Sequence, residues 1–350
     1  MPPAADLAAA LDRAGVALRG RETPLCSLWA GYGRVSSVAG VRGGARLPLI
    51  ITRVTPPASA PADDDGGHAR KLASYVAEAA FYREVAPGLA GSRCPVAEPV
   101  AVVEAHDAPP APSYALALAL TDLRPAYPVF TKGSLRPPQL RACLTWLAEF
   151  HAAFWGVAAR ADVPPLLATR EGTFWHLATR PAEYDAIPRD WADLKAAAPA
   201  IDAALAAAAA GPHGTLVHGD AKAANFCWTE MGNKDAAVAA AAFDFQYVGR
   251  GVGARDVAYL LSSAGGAGDN EEGLLSFYLD ALLAALARRG ADPAGYDAGV
   301  LRAHYDLACA DFVRFMAGWG WWGGGSDRAA ATARRVAREV LKKGGTVGRR

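Results

Sequence analysis

Hydrophobic and polar residues follow two different patterns along the chain. In the first part, short apolar and β-branched runs are separated by glycine and proline, which is typical of β-strands. The predicted strands are Leu25–Trp29, Arg34–Val38, Leu47–Val54 and Tyr114–Leu120. One helix is predicted among them, over His68–Val85, because its apolar side chains recur at helical spacing before Pro87-Gly88 ends it.

Helical spacing dominates the rest of the chain. The predicted helices are Pro138–Trp155, Ala200–Ala209, Asn270–Arg289 and Gly299–Gly318, with a frayed tail beyond Lys342. The exception is a β-hairpin, which two apolar runs, Asn225–Trp228 and Val238–Phe245, predict around a Gly-Asn turn. The pattern therefore predicts an α/β (α+β) protein with a small sheet lobe, residues 1–124, and a larger helical lobe, residues 125–350.

Composition narrows the class of protein. The chain has 350 residues, 52% of them hydrophobic, and a net charge of +1. This size suits two lobes, and the charge gives no electrostatic reason to expect nucleic acid or a membrane surface as a partner. There is no signal-like start and no apolar stretch long enough to cross a bilayer, so a cytoplasmic protein without a membrane span is expected. Oligomeric state has no sequence signal.

The cysteines are scattered, which argues against a structural metal site. They are Cys26, Cys94, Cys143, Cys227 and Cys309. No pair has the close spacing of a zinc site, and isolated thiols of this kind suit small buried side chains in a reducing compartment.

The strongest chemical signal is His218-Gly219-Asp220, followed by Lys222 and Asn225. Phosphoryl transfer to a hydroxyl needs a carboxylate that accepts the hydroxyl proton and oxygen ligands for magnesium close by. Asp220 is the predicted proton acceptor and Asn225 a predicted metal ligand. The ammonium of Lys222 could neutralise charge on the transferred phosphate.

A second signal follows the predicted hairpin. Phe243-Asp244-Phe245 places a carboxylate at the end of an apolar run. Asp244 can bridge magnesium to phosphate oxygens, so magnesium and ATP are the predicted cofactors. A short string such as His-Gly-Asp occurs by chance, and a turn Asp is usually a cap or a solvated residue. Two motifs in this order, each after an apolar run, favour the functional interpretation.

These residues carry a family resemblance. His218-Gly219-Asp220 with Asn225 resembles the catalytic loop of aminoglycoside phosphotransferases and choline kinases, and Asp244-Phe245-Gln246 resembles their metal-binding motif. The form with glutamine is most similar to the choline-kinase-like and ecdysteroid-kinase-like branch. The resemblance implies a two-lobed protein-kinase-like fold. It also implies that Asp256, in the next helix, is structural and braces the catalytic loop.

The first lobe resembles these families less closely. Gly31 and Gly33 could form a glycine loop that brings backbone N–H groups to phosphate, or a plain hairpin turn. Glu78 resembles the kinase helix glutamate that orients the ATP lysine, although many helix glutamates only face water. A hinge at residues 121–123, centred on Asp122, would offer backbone groups to adenine.

The strand that should present the ATP lysine has none. It reads Leu49-Ile50-Ile51-Thr52-Arg53-Val54, so Arg53 could contact phosphate and pair with Glu78, and Lys71 could substitute instead. Arginine is bulkier than lysine and its fork has a fixed geometry.

Several aromatic and histidine side chains have two interpretations. His151 is expected to be a hydrogen-bonded core histidine rather than a catalyst. Trp319, Trp321 and Trp322 could cap an apolar or cationic substrate, since quaternary ammonium groups favour aromatic faces, or they could pack in the core. Trp175 and His176 have the same two interpretations.

The sequence therefore predicts an ATP- and magnesium-dependent phosphotransferase that acts on a hydroxyl of a small molecule. A pseudokinase or nucleotide-binding scaffold is the first alternative, because the lysine is missing. A protein kinase is the second, although the chain passes from Asp244 to the Asp256 helix in about a dozen residues, which leaves little room for a peptide-docking loop.

Overall fold

The computed structural model describes residues 4–56, 67–106, 114–230, 238–264, 270–320 and 327–347. The chain divides into two compact units, Met1–Pro128 and Val129–Arg350. The predicted fold class, an N-terminal sheet and a larger helical part, is confirmed.

The first unit is built on an antiparallel sheet with the strand order β1-β2-β3-β5-β4. Its described elements are α1 (Ala4–Arg13), β1 (Val16–Ser27), β2 (Gly33–Arg42), β3 (Ala45–Val54), α2 (Gly67–Ala80), β4 (Pro99–His106) and β5 (Tyr114–Thr121). β5 is apolar and buried along almost its whole length, which suits a strand between two neighbours. Leu7 and Leu11 of α1 pack on the sheet against Val38 and Leu49.

Five sequence predictions in this unit, four strands and one helix, are confirmed in kind, and two elements were missed. The first strand begins at Val16, well before the predicted Leu25, and Trp29 lies in a 3-10 turn rather than in the strand. The predicted helix continues past α2 as a π-helical turn, Phe81–Val85. α1 and β4 were not predicted from the sequence, because α1 is short and the alternation in β4 is weak.

The second unit is mainly helical. Its described elements are β6 (Val129–Phe130), α3 (Pro137–Ala153), α4 (Pro165–Thr169), α5 (Pro181–Asp185), α6 (Ala192–Ala210), β7 (Gly214–Val217), β8 (Phe226–Trp228), β9 (Ala240–Ala242), β10 (Gly249–Val252), α7 (Ala254–Ser263), α8 (Glu271–Arg288), α9 (Ala298–Trp319) and α10 (Asp327–Val347). The four predicted helices correspond to α3, α6, α8 and α9. α6 begins earlier than expected, because Pro199 is accommodated inside it.

Two small sheets, β6-β8-β9 and β7-β10, lie among the helices. β8 and β9 form the predicted hairpin, with Phe226 opposite Ala242, and the Gly-Asn turn lies outside the described residues. β7 pairs with β10, Val217 opposite Gly249. The expected fraying beyond Lys342 is wrong, because α10 continues to Val347. None of the helices described is both long and apolar enough to cross a bilayer.

Candidate active site

The catalytic-loop motif directly follows β7. Gly219 has a φ of +81°, and a Cβ at this position would lie 1.9 Å from the carbonyl oxygen of Tyr247. The turn therefore requires glycine, for its left-handed conformation and for the close backbone approach. It directs the chain so that Asp220 is buried, with 3% of its surface exposed.

Asp256 holds this loop from α7. Its Oδ2 accepts the backbone N–H of His218 at 2.7 Å, and its Oδ1 accepts that of Gly219 at 2.9 Å. The carboxylate is fully buried, and hydrogen bonds of this charged kind are short and strong. This is the bracing contact that the resemblance implies.

His151 completes the anchor. Its Nε2 lies 3.1 Å from Asp256 Oδ2, and its Nδ1 lies 2.7 Å from the hydroxyl of Tyr278. Burial raises the pKa of Tyr278 well above its usual value, so the phenol stays protonated. His151 is thus a fully buried, doubly hydrogen-bonded core residue, as expected.

Lys222 and Asn225 hold one side of the Asp220 carboxylate. Lys222 Nζ donates to Oδ2 at 2.7 Å, and Asn225 Nδ2 donates to the same oxygen at 2.9 Å and to the Asp220 carbonyl at 2.8 Å. Burial raises the pKa of Asp220, Lys222 opposes this increase and the charge of Asp244 adds to it. Asp220 is therefore a carboxylate that binds a proton more readily than usual.

His218 connects the two motifs. Its Nδ1 accepts the backbone N–H of Asp220 at 3.3 Å, and its Nε2 lies 3.1 Å from the carbonyl oxygen of Phe243. These contacts require the tautomer with the proton on Nε2. The ring also packs 4.7 Å from that of Phe245, centroid to centroid. One side chain thus ties the loop to the segment that carries Asp244.

Asp244 follows β9 with a φ of 67°, a conformation that is uncommon for any residue but glycine. Its Oδ1 and the Oδ1 of Asp220 are both buried and have no hydrogen-bond partner in the structure. Buried carboxylate oxygens are normally paired, and unpaired ones call for an explanation. Magnesium is held by one or two carboxylates together with phosphate oxygens, so the unpaired oxygen of Asp244 fits magnesium.

Two tyrosines beside Asp220 were missed by the sequence analysis. Burial and the charge of Asp220 raise the pKa of Tyr259 well above its usual value. Burial and the charges of Asp220 and Asp244 raise the pKa of Tyr247 to about 12. The available signal was position, because Tyr259 lies one helical turn after Asp256 and therefore on the same face of α7.

A network of buried charges lies next to this site. Arg255, 2% exposed, contacts Glu171 Oε1 at 2.6 Å and lies 3.7 Å from Asp311 Oδ2. Asp311 Oδ1 accepts a hydrogen bond from Arg314 at 2.6 Å. Burial and the positive charge of Arg255 lower the pKa of His176 to about 4, so this ring is neutral near pH 7.

The tryptophans divide between core and surface. Trp175 is fully buried and its ring packs 4.8 Å from Tyr259 and 5.4 Å from Phe312, centroid to centroid, which favours core packing. Trp319 is 52% exposed at the end of α9 and packs on Phe315. Trp321 and Trp322 lie outside the described residues.

In the first unit, Gly31 and Gly33 lie in the turn between β1 and β2. Both have positive φ, and a Cβ on Gly33 would lie 1.9 Å from the carbonyl oxygen of Arg53. The hydroxyl of Tyr32 lies 2.5 Å from Nδ1 of His68, at the start of α2. The turn is therefore tied to the helix, while its possible contact with phosphate stays a prediction.

Arg53 is paired differently from the sequence interpretation. Its Nη2 donates to Glu22 Oε1 on β1 at 2.5 Å, and the structure gives it no contact with Glu78. Glu78 lies on the buried face of α2. β1 and β3 are the two neighbours of β2 in the sheet, so Glu22 reaches Arg53 across β2. The acid that pairs with Arg53 is thus Glu22.

Asp122 follows β5, as expected for the hinge. Its backbone N–H donates to the carbonyl oxygen of Pro48 at 2.9 Å, and its carboxylate accepts hydrogen bonds from Arg124 at 2.6–3.0 Å. The side chain is therefore occupied by Arg124, and only backbone atoms of this segment would be offered to adenine.

Residues 63–299 match the model of the phosphotransferase enzyme family, APH. This match covers more than half of the chain, so the chain belongs to that family. The predicted enzyme class, a phosphotransferase that acts on hydroxyl groups, is confirmed at this level.

Two solved structures share the fold over almost their full lengths. The microcompartment-associated aminopropanol kinase is 15% identical, has a TM-score of 0.52, and the match covers 99% of this chain and 99% of that one. The amicoumacin kinase hAmiN, in complex with AMP-PNP, Ca²⁺ and Ami, is 14% identical, with a TM-score of 0.53 and coverage of 97% and 96%. A comparison with curated protein sequences found no match.

Proposed function

We propose that the chain transfers the γ-phosphate of ATP to a hydroxyl group of a small molecule, with Asp220 as the proton acceptor. The observation that carries this proposal is the state of the Asp220 carboxylate. Oδ2 is held by Lys222 and Asn225, whereas Oδ1 is buried and has no hydrogen-bond partner. Oδ1 is therefore the atom left to receive the acceptor hydroxyl.

The chemistry that follows is simple. The acceptor hydroxyl donates to Asp220 Oδ1, and its oxygen forms a bond to the γ-phosphorus while the bond to the β-phosphate oxygen breaks. The hydroxyl proton passes to Asp220, and ADP keeps the bonding electrons. The raised pKa of Asp220 favours this proton transfer, and Asn225 fixes the carboxylate so that Oδ1 keeps its orientation.

Asn225 and Asp244 are the residues that would hold magnesium. The amide nitrogen of Asn225 points at Asp220, which leaves its amide oxygen for a cation. Bound magnesium would neutralise phosphate charge. Lys222 adds a positive charge beside Asp220, and its side chain is 37% exposed, so it can reach a bound phosphate.

The first unit would supply the nucleotide contacts. In this proposal Gly31 and Gly33 offer backbone N–H groups to phosphate, Arg53 replaces the usual lysine, and the segment at Asp122 contacts adenine. Glu22 takes the orienting role first assigned to Glu78.

The related structures support a nucleotide and a small acceptor. One is named for aminopropanol and the other for amicoumacin, and the second contains AMP-PNP and Ca²⁺. The pseudokinase alternative rests on one observation, the absence of lysine from β3, where Thr52 and Arg53 stand.

The test measures ADP release from ATP and magnesium with a panel of hydroxylated small molecules, and separately the binding of magnesium-ATP by calorimetry. We expect Asp220→Asn to lower turnover by about 10²–10⁴-fold with nearly unchanged nucleotide binding. Asp244→Asn should instead weaken the magnesium-dependent part of nucleotide binding. Asp297→Asn, at an exposed helix cap, is the matched control.

Near wild-type turnover in Asp220→Asn would contradict the assignment of the base. Nucleotide binding without turnover on any acceptor would favour the pseudokinase. Phosphorylation of peptides with no activity on small molecules would favour the protein kinase.

A further inference from the structure

A buried arginine occupies an aromatic cage in the second unit. The guanidinium carbon of Arg180 lies 5.5 Å from the ring centroid of Phe174, 5.3 Å from that of Phe315 and 5.3 Å from that of Trp319. All three distances are within the range of cation–π attraction. Only 9% of Arg180 is exposed. These three rings form the cage that Arg180 occupies.

A carboxylate closes the cage. Arg180 Nη1 donates to Glu183 Oε1 at 3.0 Å, while Glu183 Oε2 is buried and has no hydrogen-bond partner. Phe315 and Trp319 lie one turn apart on α9, and Gly318 lets this helix pass so close to α5 that a Cβ would lie 1.7 Å from the carbonyl oxygen of Glu183. The cage is therefore held by two helices in direct backbone contact.

The cage is one ring away from the proposed base. Phe174 packs 5.5 Å from Tyr247 and 5.7 Å from Tyr259, centroid to centroid. The charge of Asp220 raises the pKa of both tyrosines, and the charge of Arg180 lowers the pKa of Tyr247. The cage thus borders the space in which an acceptor must lie to reach Asp220.

Aromatic rings with a carboxylate form a receptor for organic cations, and above all for quaternary ammonium groups. In this protein the guanidinium of Arg180 already occupies the position that such a cation would take. We propose that Arg180 is a specificity residue. By occupying the cage, it excludes acceptors with a quaternary ammonium group and favours acceptors without one. This inference depends on the proposed function, because it treats the cage as part of the acceptor site.

Charge and space both support this role. A quaternary ammonium group would have to displace Arg180, which would lose its ion pair with Glu183 and three ring contacts at a buried position. If it stayed beside Arg180 instead, two positive charges would repel each other in a poorly screened environment. A neutral hydroxylated group incurs neither cost.

The test is a binding measurement without ATP, so that it does not depend on turnover. Choline is titrated calorimetrically against its uncharged isostere, 3,3-dimethylbutan-1-ol. Wild type should show no preference for choline. Arg180→Ala, which leaves Glu183 and the three rings, should bind choline at least about tenfold more tightly than wild type does and more tightly than the isostere.

Two further variants make the result specific. Arg180→Lys keeps a cation in the cage and should remain as unresponsive to choline as wild type. Phe315→Leu in the Arg180→Ala background should lose the gained affinity, because one wall of the cage is gone. A role in stability alone would lower the melting temperature of Arg180→Ala without creating this cation-selective binding.

Two outcomes would overturn the proposal. One is a folded Arg180→Ala variant, checked by circular dichroism, that binds choline no better than wild type. The other is saturable, choline-selective binding by wild type that Phe315→Leu abolishes, and this measurement decides the matter even if Arg180→Ala does not fold. A third outcome separates this proposal from the proposed function. If Arg180→Ala gains choline-selective binding but the protein transfers no phosphate to any acceptor, the role of Arg180 in the cage is supported and the proposed function is contradicted.

Discussion

Asp256→Ala is the change with the largest expected consequence outside the reacting groups. Three donors would lose their acceptor, namely the backbone N–H groups of His218 and Gly219 and the ring N–H of His151. All three are buried, and an unsatisfied buried donor costs about 1–3 kcal/mol. After some relaxation, we expect the free energy of unfolding to fall by about 4 kcal/mol, a large part of the about 5–15 kcal/mol typical of a domain.

Activity should fall as well, because the anchor sets the position of Asp220. A displacement of the loop by about 1 Å would lower the turnover number by about 10²-fold. Stability is measured by urea unfolding followed by circular dichroism, and turnover by steady-state kinetics on the folded variant. Asp297→Ala is the matched control, since Asp297 is exposed and accepts one backbone N–H, from Val300 at 2.9 Å. Loss of such a cap costs about 1 kcal/mol.

An Asp256→Ala variant that loses no more stability than Asp297→Ala would refute the anchoring role of Asp256. That role is also refuted if the variant folds and keeps full turnover, because the loop would then hold its position without the carboxylate. The stability loss in Asp256→Asn should lie between those in Asp256→Ala and Asp297→Ala, since the one amide oxygen of asparagine can accept only some of the three hydrogen bonds.

Two further predictions concern pH and the nucleotide. The folded state lowers the pKa of His176 from about 6.5 to about 4. As the pH falls through this range, only the unfolded state gains a proton at His176. The free energy of unfolding therefore falls by up to about 3 kcal/mol. His176→Gln should therefore flatten the acid side of the stability profile from urea midpoints, and an unchanged profile would contradict the assignment. Arg53→Ala should raise the dissociation constant for magnesium-ATP about tenfold, as expected for one charged hydrogen bond, and clearly more than Lys71→Ala does. Glu22→Gln should weaken binding in the same direction, and wild-type affinity in both Arg53→Ala and Glu22→Gln would mean that this pair is not part of the site.

The catalytic segment was predictable because its contacts are local. β8 and β9 are joined by residues 229–239, and antiparallel pairing of Phe226 with Ala242 places Asn225 beside Phe243. Asp244 then follows within one residue. Any chain with two such apolar runs and this spacing brings Asp220, Asn225 and Asp244 to one end of the hairpin, so pattern and spacing suffice.

The ion-pair partner of Arg53 in the first unit was not predictable in this way. The sequence placed Arg53 at the end of a strand, which is confirmed, and paired it with Glu78, which is wrong. Its partner Glu22 lies 31 residues earlier in the chain, in a part of β1 where the register with β2 shifts. A shift of one residue turns a side chain to the other sheet face, so a pairing of this kind follows from register and not from pattern.

The sequence by itself determined the fold class, the phosphotransferase motifs and the residue that holds the catalytic loop, because each rests on short-range spacing or on a resemblance confined to one stretch of chain. Only the tertiary structure decided which oxygen of Asp220 is left unpaired, which acid faces Arg53, and that Arg180 stands inside three aromatic rings. The Arg180 contacts join the residue before α5 to α9, and the Arg53–Glu22 pair joins two strands that are not neighbours in the sheet. Their geometry is fixed by how helices and strands pack, and side-chain packing is a property of the folded chain rather than of any single segment.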